Sequence, residues 1–216
     1  MRLGASMLLA AVVTAPFDAS ANNINPFVPE SIVEKQNTTG ATRKLPINDT
    51  TRRILLTASS RSGLGVHVFS GGQPTNGRKR KGSHRHDLGG AADLYLVHPV
   101  TGHILDMRDP HDQVCMASFM QASVAAGATG VGAGLRYMGP HAMHIGGGAP
   151  AYWGGAEWVS AAYDRGLAGL PVVPCTARTP TTRRERAEIA AHNAKMTGCP
   201  DEVIVAAYNA KMTGSA

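Results

Sequence analysis

Short apolar runs alternate with Gly- and Pro-rich breaks along most of this chain. Ile54, Leu55 and Ala58 recur at helical spacing behind Asn48-Asp49, which predicts a capped helix running to about Ser60. Val66 to Phe69 is a β-branched and aromatic run closed by Ser70-Gly71-Gly72, a strand ending in a tight turn. Ala91 to Val97 predicts a second strand, with Asp93, Tyr95 and Val97 on one face and Ala92, Leu94 and Leu96 on the other. His98 to Gly102 reads as a hairpin turn into a further strand, His103 to Met107. Asp109-Pro-His-Asp112 offers a helix start, and Gln113 to Ala126 fits a helix with Val114, Ala117, Met120 and Val124 on one face. Val131 to Met138 and Ala142 to Gly146 predict two more strands, and Glu157 to Arg165 a short helix.

The flanks read differently. Residues 1–21 have a positive start, an apolar centre and Ala19-Ser20-Ala21, the grammar of an export signal, with a buried N-terminal helix as the alternative. Residues 22–46 are polar with three prolines and read as an extended arm. Residues 47–168 form the expected domain, 169–182 a Pro/Thr-rich linker, and 183–216 a helical tail. That tail holds a short repeat, Asn-Ala-Lys-Met-Thr-Gly, ending at Gly198 and again at Gly214. No segment is long and apolar enough to predict a stable membrane span.

Hydrophobic residues make up 43 % of the 216, enough for a sizeable core, while Gly 25 and Pro 13 exclude a coiled coil and favour a loop-rich α+β domain. The net charge of +6 favours polyanionic partners. Three cysteines are too few for a disulfide framework. Cys175 and Cys199 could pair, leaving Cys115 as a buried thiol. The run Arg78 to Lys81 is basic, but no stacking aromatics or zinc-finger spacing accompany it, so nucleic acid is not expected.

The chemistry concentrates in Gly82 to Leu94. His86 and Asp93 lie seven residues apart, with Gly89 and Gly90 letting the chain turn between them. An unpaired carboxylate on an apolar strand is costly unless a cation neutralises it. His144 can complete a His, Asp, His set because Met143 and Ile145 claim the opposite face of its strand. Such a set plus water suits Zn²⁺. The alternative is that Asp93 pairs with Arg85 or Arg136 and the histidines are loop residues.

The pattern Ser83-His-Arg-His86-Asp-Leu-Gly89-Gly-Ala91-Ala-Asp93, followed downstream by a strand bearing His144, resembles the zinc D-Ala-D-Ala carboxypeptidase and endolysin peptidases. That resemblance covers about residues 47–168. It implies the hedgehog/DD-peptidase fold, a small antiparallel sheet with flanking helices, and zinc held by His86, Asp93 and His144. It implies peptidoglycan peptide hydrolysis by an exported protein of the periplasm or cell envelope, or by a phage lysis protein. Ser70-Gly71-Gly72-Gln73 is similar to the family's Ser-Gly-x-Arg turn, with Gln73 where a substrate-facing Arg is common. Gln73, Arg85 and Ser83 are then expected to hold the substrate carboxylate or the oxyanion, and Arg136 to bind substrate. The chain departs from the family where a carboxylate often precedes or follows the last His. His141 stands at one of those positions, which makes it the expected base. A non-catalytic envelope-binding or phage virion component with the same fold is the rival expectation. No oligomeric state is implied.

Overall fold

The computed structural model describes residues 32–34, 43–99, 101–155 and 157–176. The signal-like segment, most of the arm, the end of the expected linker and the repeat-bearing tail lie outside the described residues. The elements run β1 (Ile32–Glu34), α1 (Asp49–Ser62), β2 (Gly65–Ser70), β3 (Ala91–Val97), α2 (Pro110–Ala125), β4 (Gly130–Ala133), β5 (Ala142–Gly146), β6 (Ala151–Trp153) and α3 (Glu157–Leu167). A single 3₁₀ turn, His84–His86, precedes β3. The fold is α+β, as expected.

The six strands form one sheet in the order β1-β2-β3-β5-β4-β6. Its centre is antiparallel, but β1 runs parallel to β2 and β6 parallel to β4. The sheet is therefore mixed, which corrects the expectation of an antiparallel one. Both parallel strands are three-residue edges, too short to show a period in sequence.

One face of the sheet carries Val66, Val68, Leu94, Leu96, Val131, Met143 and Ile145 into the core. Leu55, Met116, Phe119 and Val159 from the three helices join them in one buried cluster. α1 packs on α2 and α2 on α3, so the helices form a layer over this face. Asn48 caps α1 by accepting from Thr51 N at 2.9 Å, and Gly63 ends it in the left-handed region at φ 73°. Asp109 caps α2 by accepting from the His111 amide, with Pro110 at the first position.

Several expectations shift. Only a Val97–Ile104 bridge remains of the strand expected at 103–107, because Asp106 turns the chain back through hydrogen bonds with Asp109 N and Arg108. β4 stops at Ala133, where Gly134 O accepts from both Tyr137 N and Met138 N in a turn. Val114 faces solvent, and Cys115, Met116 and Phe119 take the core instead. The chain beyond α3 is no free linker up to Thr176. Ser118 donates to Val173 O, Gln121 to Leu170 O, and Cys175 N to Ser62 O. Cys115 and Cys175 form a disulfide that fixes this strap to α2, which corrects both the Cys175–Cys199 pairing and the free Cys115. No helix among the described residues is long and apolar enough to cross a membrane.

Candidate metal centre

The opposite face of the sheet gathers polar groups. Asp93 on β3 lies directly across from His144 on β5, and a bulge in β2 sets Ser70 across from Asp93 on the other side. The register continues through Gly132 on β4 to Trp153 on β6. A Cβ at Gly132 would stand 2.3 Å from the indole nitrogen, so glycine there lets Trp153 lie over β4 toward His144. The two rings are 5.0 Å apart.

His86 arrives from the 3₁₀ turn. Ser83 caps that turn by accepting from Arg85 N at 3.1 Å. Gly89, at φ 79°, packs so tightly on residues 46–48 that a Cβ would lie 2.5 Å from Asn48 N. These constraints bury His86 against the sheet. His86 Nε2 stands 3.2 Å from His144 Nδ1 and 3.3 Å from Asp93 Oδ1, and His144 Nδ1 stands 2.9 Å from the same oxygen. The expected trio therefore converges, fully inside the protein. Nothing in protein-family models, among curated proteins or among solved structures matches this chain.

The donor set favours a cation at the centre of that triangle. His86 Nδ1 lies 2.8 Å from Gly71 O, which can only accept, so this nitrogen carries the proton. In its neutral form His86 presents a lone pair at Nε2, and Asp93 Oδ1 presents another. One proton on His144 Nδ1 serves only one of the two. His144 Nε2, the ring nitrogen outside the triangle, is buried with no hydrogen-bond partner among the described residues. A tetrahedral ion with bonds of about 2.0 Å has ligand–ligand edges of about 3.3 Å, within a few tenths of the triangle seen here. His86, Asp93 and His144 can thus hold a metal ion.

The electrostatics agree with ligand-ready states. Burial alone would raise the Asp93 carboxyl, but the hydrogen bond from His144, with His86 beside it, holds it well below the usual range. Burial lowers His144, against the opposing pull of Asp93, and keeps its ring neutral. His67 on β2, paired with Tyr95 on β3, is lowered to about 4 by burial.

Sequence reasoning missed Arg43. Its Nη1 donates to Asp93 Oδ2 at 2.9 Å and to Ser70 Oγ at 3.1 Å. The outer oxygen of Asp93 is so held, leaving Oδ1 for the centre. Arg43, rather than Arg85 or Arg136, is thus the arginine partner of Asp93. Arg85 lies over Trp153, 5.1 Å from the ring centroid, and donates to the carbonyls of Gly147 and Ala149. Arg136 lines a separate cavity of about 710 Å³ with Met107, Gln113 and Trp158. Gln73 is buried, and its amide spans Ser83 O, Asp87 Oδ1 and Lys81 N, so it fastens the 73–87 loop. Ser83 is occupied as the cap. His141 makes no hydrogen bond to the trio; its Nδ1 lies 2.9 Å from Leu105 O. Tyr137 was also missed. Its ring stands edge-on to Trp153 at 6.2 Å, and its exposed phenol feels the charges of Asp93, Arg43 and Arg85.

Proposed function

We propose that this chain is a zinc-dependent peptidase that hydrolyses peptide bonds of bacterial peptidoglycan, on a domain of the hedgehog/DD-peptidase kind. The observation that carries the reading is the buried convergence of His86 Nε2, Asp93 Oδ1 and His144 Nδ1. Two imidazoles and one carboxylate are a donor set of catalytic zinc, which keeps a further position for substrate or water.

Zinc, when bound, supplies Lewis acidity and lowers the pKa of a bound water. The chain's own residues supply the rest. Gly71 O fixes the His86 tautomer, and Arg43 fixes the rotation of the Asp93 carboxylate. His141 donates from Nδ1 to Leu105 O, which leaves Nε2 as a lone pair able to take a proton. The Tyr137 phenol, neutral at its ordinary pKa and shifted further up by partial desolvation, is a donor suited to a developing oxyanion. Trp153 and Arg85 wall the site beside His144 and limit water on that side.

The Cys115–Cys175 disulfide supports an exported protein of the periplasm or envelope, since such bonds persist in oxidising compartments. A non-catalytic envelope-binding or virion component is the second reading. What favours it is that no second carboxylate bonds to the trio among the described residues. Digestion of purified peptidoglycan by the zinc-loaded chain, followed by mass spectrometry of the fragments, separates the two. New peptide termini are expected, and their identity gives the scissile bond. Intact muropeptides at every pH tested would leave the binding component as the better account.

A further inference from the structure

Beside the metal centre lies a cavity of about 500 Å³ whose lining includes Arg43, Lys44, Arg78, Lys79 and Lys81 and, among the described residues, no Asp or Glu. The side-chain ends of Lys44, Arg78, Lys79 and Lys81 make no hydrogen bond or ion pair among the described residues. Arg80, from the same run, turns away instead and pairs with Asp87. The loop that carries these cations is held in place: Gln73 Oε1 accepts from Lys81 N at 2.9 Å, and its Nε2 donates to Ser83 O at 2.8 Å. Among the described residues these four cations are thus displayed rather than neutralised, at a low ordering cost to any ligand.

Arg43 joins this groove to the trio. Its Nη2 donates to Lys81 O at 3.3 Å while its Nη1 donates to Asp93 Oδ2. Among the described residues its Nε is buried without a partner. One guanidinium therefore separates the end of the groove from a ligand of the candidate metal. Like charges so concentrated repel one another until an anion arrives.

We propose that the groove is a substrate subsite for a peptide bearing several carboxylates, so that the site acts on acidic peptides and anchors them by their flanking charges. This rests on the peptidase reading and adds to it which peptides the site selects. An extended peptide spans about 3.3 Å per residue. Side-chain carboxylates two residues apart on it fall on one side and can meet cations along one wall of the groove.

The test measures binding apart from hydrolysis. The zinc-loaded full chain is titrated with tetraglutamate and with tetraglutamine, which differ in charge alone, at about 0.05 M and about 0.5 M salt. Tetraglutamate should bind roughly tenfold more tightly at low salt and lose that advantage at high salt. A chain with Arg78→Ser, Lys79→Ser and Lys81→Ser should keep its metal content and lose the preference. Equal binding of the two peptides, or an undiminished preference in the triple variant, overturns the subsite. Much tighter binding of single-stranded DNA of equal charge also overturns it, in favour of a nucleic-acid groove. Charge-selective binding without muropeptide cleavage keeps the subsite and defeats the peptidase. Cleavage with charge-blind binding does the reverse.

Discussion

The guanidinium of Arg43 meets the outer carboxylate oxygen of Asp93 at 2.9 Å, across 50 positions of sequence. That contact makes the segment ahead of α1 part of the site. An oriented ligand carboxylate binds a metal better than a free one, and loss of such outer partners typically costs about 10–100-fold in affinity. Arg43→Ala should weaken zinc binding by about that factor in a chelator competition, with the far-ultraviolet spectrum unchanged. Arg43→Lys should recover part of the loss. Unchanged affinity in Arg43→Ala would mean that Asp93 is oriented without it.

His141 separates proton transfer from metal binding. Its Nδ1 is committed to Leu105 O, and it is bonded to none of the trio. His141→Ala should retain full zinc content and lose roughly 10²–10⁴-fold in muropeptide hydrolysis. Hydrolysis at the wild-type rate would move the base elsewhere.

How far the sequence reached depends on the kind of signal. β3 and β5 were legible to the residue, because both are long enough to alternate and are bounded by Gly or a turn. The same alternation brought Asp93 and His144 into view on the face opposite Leu94 and Met143, whereas His86 came from its seven-residue spacing to Asp93. Arg43 was not legible. It lies in a stretch without period, and only tertiary packing sets it beside Asp93. β1 and β6 span three residues each and owe their state to the edges they join. The disulfide was missed because pairing follows proximity, and a strap that doubles back along α2 leaves no trace in cysteine spacing.

Buried His67 makes stability depend on pH. Its folded value is lowered to about 4, against about 6.5 in an unfolded chain. As pH falls below about 6.5 the unfolded chain takes up this proton and the folded one does not. The stability is complete above that value and declines until about pH 4, by roughly 3 kcal/mol in all. His67→Gln should flatten the fall in unfolding free energy between pH 7 and 4.5, measured by urea denaturation. Parallel curves for the two proteins would show that His67 carries none of it.

The Cys115–Cys175 bond closes a loop of 60 positions. Chain entropy assigns a loop of that size about 4 kcal/mol, and measured values are typically about 2–4. Cys175→Ser should lower the unfolding free energy by that measured amount under non-reducing conditions. The strap at 170–176 should become susceptible to proteolysis first, since its other ties are a few hydrogen bonds, to Ser118, Gln121, Ser62 and His111. A variant as stable as the wild type would show that the bond constrains nothing the unfolded chain would otherwise explore.

The central claim is that three buried side chains form one metal site, and elemental analysis of the purified protein tests it most directly. The wild type should carry about one zinc per chain after dialysis, as a single three-ligand site requires. His86→Ala and His144→Ala should each lose it, because either change leaves only two ligands, Asp93 Oδ1 and one imidazole. A wild type that takes up no metal, or a His86→Ala chain that keeps the full stoichiometry, would contradict the site as described.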